Sequence, residues 1–258
     1  MRPFQKKFML SSPNVKINLG LNIKTRRSDG YHELETLFLP YDGICDGLEI
    51  EPAQSLEFVP SANVTWDNDL TLRAYRLLKE DFPDLPAVRI SLDKKAPVGA
   101  GLGSGSSDCA FTLVMLNELF DLGLEQKELA GYASRLGSDC PFFVYNRPMF
   151  GRGRGEILSP YDIDLSAYRI EVSVPDGISV STKEAYAGVV PAAWDTPLEE
   201  ALKAPVNEWK NLIFNDFEKS VFAAHPQIAA LKQSFYDRGA VYAAMSGSGS
   251  ACFGIFEK

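Results

Sequence analysis

The sequence predicts an α+β fold in two layers, and three observations carry that expectation. Strand-like and helix-like runs are mixed without a strict βαβα rhythm, which disfavours a doubly wound parallel sheet. The N-terminal region alternates apolar and polar residues with the period of a half-buried strand. A glycine-rich stretch at 99–108 joins a strand-like run, 88–92, to a helix-like run, 109–120. The chain has 258 residues, long enough for one large or two modest domains.

In chain order, Phe8 and Leu10, then Val15, Ile17, Leu19, Leu21 and Ile23 form one face of a strand region over 8–23, with Lys16, Asn18 and Asn22 on the other. Ser28-Asp29-Gly30 is a turn signal. Strands are predicted at 33–41, 47–51 and 56–60. Asn68 or Asp69 caps a helix carrying Leu70, Leu72, Ala74, Leu77 and Leu78. A helix over 124–136 ends at Gly137, a C-cap position. Pro141 biases Cys140 away from helix, so 138–141 reads as a loop. Strands at 142–145 and 156–159 are predicted to flank Gly151 to Gly155. A domain boundary is expected near 160, giving units 1–160 and 161–258. Beyond it come a strand at 168–174 and a capping box, Ser181-Thr182-Lys183-Glu184, opening a short helix. Helices at 198–202, 216–223 and 226–238 and strands at 240–244 and 251–256 complete the pattern.

Composition excludes several classes. The 45% hydrophobic and 23% charged content is that of a globular protein, not a disordered one. A formal charge of −8, with no long basic block, argues against nucleic acid or an anionic membrane surface as partner. The four cysteines lie far apart without a Cys-x-x-Cys pair, so no disulfide or zinc framework is expected and a reducing compartment fits. No signal peptide and no stretch of ~20 apolar residues is seen, and the expected setting is cytoplasmic. The Asn63-Val64-Thr65 sequon has no meaning without a secretory signal.

Strand, glycine loop and helix together form an anion site, because bare backbone N–H groups approach phosphate oxygens and the helix N-terminus adds partial positive charge. Residues 99–108 hold four glycines and three serines. A P-loop needs a lysine after its last glycine, and here Ser106-Ser107 follow. Glycines spaced i, i+2, i+5 fail from Gly99, where Ser104 stands third, and from Gly101, where Ser106 does. No Gly-x-Ser-x-Gly elbow occurs, and two histidines, His32 and His225, leave little room for Ser-His chemistry.

What remains, Pro97-x-Gly99-x-Gly101-Leu102-Gly103-Ser104-Gly105-Ser106-Ser107, resembles the phosphate loop of the GHMP kinase superfamily. Pro13-Asn14-Val15-Lys16-Ile17-Asn18-Leu19, followed by Arg27-Ser28-Asp29-Gly30-Tyr31-His32-Glu33, is similar to the N-terminal signature of its branch acting on a cytidine diphosphate-linked methylerythritol. Leu136-Gly137-Ser138-Asp139-Cys140-Pro141 looks like that branch's catalytic aspartate segment. Ser246-Gly247-Ser248-Gly249-Ser250 is similar to the third motif.

The resemblance implies a two-domain GHMP kinase fold, with an N-terminal domain like domain 2 of ribosomal protein S5 and a ferredoxin-like C-terminal domain. It implies ATP-dependent phosphorylation of the substrate's 2-hydroxyl, in the non-mevalonate route to isoprenoid precursors, by a monomer or weak homodimer. Pro97, Gly99, Gly101, Leu102, Gly103, Ser104, Gly105, Ser106 and Ser107 would hold the ATP phosphates, with the Ser106 or Ser107 hydroxyl near Mg²⁺ and Ser107 the first choice. Asp139 would be the general base and Lys16 its charge-stabilising partner. Asn18, Tyr31, His32, Asp139 and, more loosely, Tyr186 would bind substrate, Tyr31 and His32 at the cytosine ring. Rival readings are another GHMP small-molecule kinase, of homoserine or mevalonate type, and a non-catalytic ligand sensor on the same fold.

Three departures stand out. Asp69 replaces the usual Asn before the helix, which puts a contact to adenine in doubt. Asp108 adds a carboxylate beside the phosphate loop, where capping the helix is its first expected role. The sequence stops at Lys258, where relatives of this kind run on for another helix, so the C-terminal part closes differently or the sequence is truncated.

Overall fold

A computed structural model describes residues 8–61 and 69–258. Residues 1–7, the Asn63 sequon and Asn68 lie outside them. The chain runs through β1 (Met9–Ser11), β2 (Asn14–Arg26), β3 (His32–Cys45), β4 (Gly47–Pro52), β5 (Glu57–Pro60), α1 (Leu70–Asp81) and β6 (Val88–Asp93). Next come α2 (Ser104–Phe120), α3 (Gln126–Leu136), α4 (Cys140–Tyr145), β7 (Met149–Arg152), β8 (Ile157–Pro160) and β9 (Tyr168–Ser173). It closes with α5 (Thr182–Ala187), α6 (Leu198–Ala201), a 3-10 helix (Val206–Asn211), α7 (Glu218–Ala224), α8 (Pro226–Asp237), β10 (Tyr242–Met245) and β11 (Cys252–Glu257).

These elements sort into two compact units interleaved in sequence. Among the described residues, the first comprises 8–15, 44–61, 69–97 and 103–146, the second 16–43, 98–102 and 147–258. In the first, β4 pairs antiparallel with β1 and β6, and β5 joins β6 in parallel. Helices α1 to α4 pack on one another, and α2 also packs against β4. Asp69 caps α1, its Oδ1 accepting from the Thr71 amide at 2.7 Å, and Thr71, Ala74, Tyr75 and Leu78 are buried at helical spacing. Helix α2 buries Ala110, Leu113, Leu116 and Leu119 together with Cys109, Thr112 and Met115, a broad apolar face with exposed Glu118 on the opposite side.

The strand expected over 142–145, with Cys140 and Pro141 of the loop expected before it, is helix α4; Ser138 and Asp139 stay outside the helix. Pro141 stands in its first turn, where an amide has no intrahelical acceptor to lose, so proline is tolerated there. The residues expected as strand are then the buried face of a short helix, with Phe142, Phe143 and Val144 all buried.

The second unit holds a sheet in the order β2-β3-β7-β8 and a three-stranded sheet with β11 between β10 and β9. Its apolar cluster joins Leu21, Ile23 and Leu34 with Val180, Phe217, Ile228, Phe235 and Met245. Helix α8 packs on β10 and β11. Strand β7 runs into the Gly151-to-Gly155 stretch and pairs with β8. The 3-10 helix, which no sequence pattern announced, buries Trp209. Among the described residues, no helix is long and apolar enough to cross a membrane.

Candidate active site

Strand β2 sets the first part of the site. Its alternation implies one polar face, yet Lys16, Asn18 and Asn22 are as buried as the apolar residues between them. A buried ammonium is tolerable only with hydrogen-bond partners. Lys16 Nζ donates to Asn18 Oδ1 at 2.5 Å and to the Gly101 carbonyl at 2.8 Å, and lies 5.6 Å from the Phe38 ring centre. Asn18 Nδ2 donates to Thr36 Oγ1 at 3.0 Å, and that hydroxyl donates to the Gly20 carbonyl at 2.6 Å.

The second glycine-serine turn meets the same group. Ser246 Oγ accepts from the Asn18 amide at 3.2 Å and donates to the Gly101 carbonyl at 3.0 Å. The Ala251 amide donates to the Ala100 carbonyl at 3.0 Å. Asn215 Nδ2 reaches the Met245 and Gly247 carbonyls, each at 2.8 Å. Gly101 has φ +78°, and a Cβ on it would stand 2.1 Å from the Ser246 carbonyl oxygen. The backbones touch there, and only glycine fits. No local sequence pattern marks Thr36 or Asn215, whose partners are brought to them by the fold.

The first unit carries the other end of the glycine stretch. Gly103, left-handed at φ 70°, precedes α2 without a side-chain cap. Ser104 to Ser107 therefore belong to the helix and not to the loop expected over 99–107. The Ser107 amide donates to the Gly103 carbonyl at 2.9 Å, while α-helix geometry gives the amides of Ser104, Gly105 and Ser106 no intrahelical acceptor. Gly105 is exposed and Ser106 half-buried, whereas Ser107 is fully buried with an unpartnered hydroxyl. Ser104 Oγ lies 3.4 Å from the Pro97 carbonyl.

Asp139 stands half-buried at the start of α4. The adjoining Cys140 thiol shares a hydrogen bond with Cys109, which, with burial, holds the Cys109 thiol well above its ordinary range.

Asp108 does not cap α2. It lies in the second turn, where Lys94 Nζ donates to it at 2.5 Å and to Asp46 Oδ2 at 2.5 Å. Burial pushes the Asp108 carboxyl up to about 7, against the attraction of Lys94. Asp69 Oδ1 is taken up by the Thr71 amide and hydroxyl.

At the turn after β2, Tyr31 is exposed and the Arg154 guanidinium lies 4.7 Å from its ring centre. His32 stacks on Tyr186 with ring centres 4.9 Å apart and planes 18° from parallel. Tyr186 in turn meets Phe217 edge-on at 4.8 Å. Thus His32 and Tyr186 are brought together, ring on ring, and Tyr31 stands apart with Arg154. Within the second unit, Lys16, Asn18 and Gly101 form one connected group.

Comparison with known proteins bears on these motifs. Residues 69–147 match the N-terminal domain of GHMP kinases, and residues 198–258 match the GHMP kinases C-terminal domain. The chain is 46% identical over 256 residues to 4-diphosphocytidyl-2-C-methyl-D-erythritol kinase of Azobacteroides pseudotrichonymphae, covering 97% of this chain and 94% of that one. It is 47% identical over 255 residues to the protein of the same name from Bacteroides fragilis, covering 96% and 92%. A crystal structure of 4-(cytidine 5'-diphospho)-2C-methyl-D-erythritol kinase superposes with a TM-score of 0.83 at 35% identity, over 96% of this chain and 90% of that one. The α+β architecture is that of the GHMP kinases, and with nearly half its positions identical over almost the full length of both relatives, the chain belongs to the 4-diphosphocytidyl-2-C-methyl-D-erythritol kinase family.

Proposed function

We propose that this protein transfers the γ-phosphoryl group of ATP to the 2-hydroxyl of 4-diphosphocytidyl-2-C-methyl-D-erythritol, a step of the non-mevalonate route to isoprenoid precursors. The observation that carries the reading is the near-half identity, over almost all of both chains, to proteins bearing that name. A GHMP kinase of homoserine or mevalonate type is disfavoured by the Tyr31-His32 pair in its Ser-Asp-Gly-Tyr-His setting.

Phosphoryl transfer needs donor and acceptor positioned, phosphate charge neutralised, and a place for the hydroxyl proton. The backbone of Gly99 to Gly103 and the first amides of α2 hold the triphosphate. Asp139 takes the hydroxyl proton. A carboxylate is a weak base for an alcohol, so the proton leaves late, once the bond to ADP has largely broken. Lys16 offsets charge developing on the transferred group, and Asn18 holds both the lysine and the acceptor in line.

For Mg²⁺, the donor set favours Ser106 over Ser107. A nucleotide-bound Mg²⁺ takes few protein ligands beside phosphates and water; Ser106 is only half-buried, while the Ser107 hydroxyl is enclosed. Bound with ATP, the metal would neutralise phosphate charge.

At the nucleobase, Arg154 covers one face of Tyr31, and the cytosine ring stacks on the other. His32 reads the polar edge that separates cytosine from uracil. Tyr186 steadies the imidazole by stacking on it, a role different from the direct substrate contact that the resemblance implies. His32→Ala is therefore expected to lower kcat/KM for the cytidyl substrate by roughly 10–100-fold, the loss for one or two hydrogen bonds to a base. Discrimination against the uridyl-linked analogue should fall by a similar factor. Unchanged discrimination in steady-state kinetics would remove His32 from base recognition.

A further inference from the structure

The glycine loop is an unstable piece of backbone by composition. Gly99, Gly101 and Gly103 all sit at positive φ, and glycine-rich segments lose the most conformational freedom on ordering. Unless the protein orders such a loop beforehand, the ligand bears that cost on binding. Around the loop's two ends lies a cluster that no phosphate-binding role explains. Asp46, between β3 and β4, places Oδ1 against the amides of Lys95 at 2.6 Å and Ala96 at 2.7 Å, just before the loop. Its Oδ2 accepts from Lys94 Nζ at 2.5 Å, and the same ammonium reaches Asp108 Oδ2 at 2.5 Å, just after the loop. The three side chains are 1%, 7% and 3% exposed. The Asp46 amide is itself held by the Pro13 carbonyl at 2.9 Å.

We propose that Asp46, Lys94 and Asp108 form an internal brace that fixes both ends of the glycine loop and so presents it to the nucleotide in its binding shape. Lys94 is a positioning residue in this arrangement. An ammonium enclosed at the loop's entrance has the charge of a phosphate ligand, but here two buried carboxylates accept its hydrogen bonds. Charge-assisted hydrogen bonds are short and strong when buried, and the chain Asp46–Lys94–Asp108 links the strand end to the second turn of α2 whatever the loop between them does. The extra carboxylate at Asp108, which sits awkwardly beside phosphates, has a place here: it is turned inward, to the lysine. This inference rests on the assignment of the loop to ATP.

The test begins with calorimetric ATP binding to the wild-type protein, since absence of binding there overturns the loop assignment itself and not the brace alone. Given binding, Asp108→Ala is expected to raise the KM and the Kd for ATP roughly tenfold, with kcat and the KM for the acceptor within about threefold of wild type. Asp108→Asn keeps an oxygen for Lys94 and should recover ATP affinity to within about threefold. If Asp108→Ala does not fold, Lys94→Met, which keeps the aliphatic stem, carries the same expectation. ATP affinity unaltered by the loss of Asp108 or Lys94 would overturn the brace. So would a loss of both substrates' affinities in equal measure, or an asparagine variant as weak as the alanine one.

Discussion

Asp139→Asn is expected to lower kcat by roughly 10²–10⁴-fold, the scale of lost general-base catalysis, while ATP binds as before. Asparagine has nearly the same shape but cannot accept a proton at neutral pH, so the change isolates proton transfer from packing. Asp139 lies half-buried at the first residue before α4, with no cap hydrogen bond of its own to that helix. The substitution therefore removes no helix cap. Single-turnover experiments separate the chemical step from product release. The loss should appear in the chemical step. Near-wild-type turnover by Asp139→Asn would take this carboxylate out of the mechanism.

Gly101→Ala is expected to fail by a different route. Its carbonyl accepts from both Lys16 and Ser246, and its α-carbon packs against the Ser246 backbone. Left-handed geometry costs an ordinary residue roughly 1–2 kcal/mol, and forcing a methyl group against a fixed backbone adds about 1–3 kcal/mol. The sum, about 2–5 kcal/mol, should lower the melting temperature by roughly 5 °C or more. It should also weaken ATP binding by displacing the loop. Gly123→Ala is the control: φ is +75° there as well, but nothing lies within 4 Å of the added methyl group. A thermal melt in which the two variants shift equally would show that backbone conformation, and not the contact with Ser246, limits position 101.

Much of the architecture is legible in the sequence wherever a local rule decides it. Period-2 alternation reveals β2, the Asp69 cap opens α1, and Ser181 opens α5, its Oγ accepting from the Glu184 amide at 3.1 Å. Local rules fail where long-range packing decides. Lys16 and Asn18 look like a solvated face, but a glycine turn more than two hundred residues away covers them. Pro141 reads as a helix breaker only if the helix has already begun; one residue inside its start, it is harmless. Asp108 looks like a cap because caps are local, while its partners, Lys94 and Asp46, are set by strand ends that a linear reading cannot bring together.

The site residues divide in the same way. The glycine loop and the second glycine-serine turn announce themselves, because close backbone approach demands glycine at those places. Thr36 and Asn215 act through single side-chain hydrogen bonds to partners fixed by the fold, and neither residue type is unusual in a strand or loop.

An ADP-release assay with purified protein, ATP and Mg²⁺ reads the identity of the acceptor. The acceptors are the cytidyl-linked methylerythritol, its uridyl analogue, homoserine and mevalonate, each added separately. ADP release is expected to be at least about 100-fold faster with the cytidyl compound than with any other, a difference of roughly 2.7 kcal/mol in transition-state binding. Equal or faster release with homoserine or mevalonate, or ATP binding with no acceptor-dependent release at all, would contradict it.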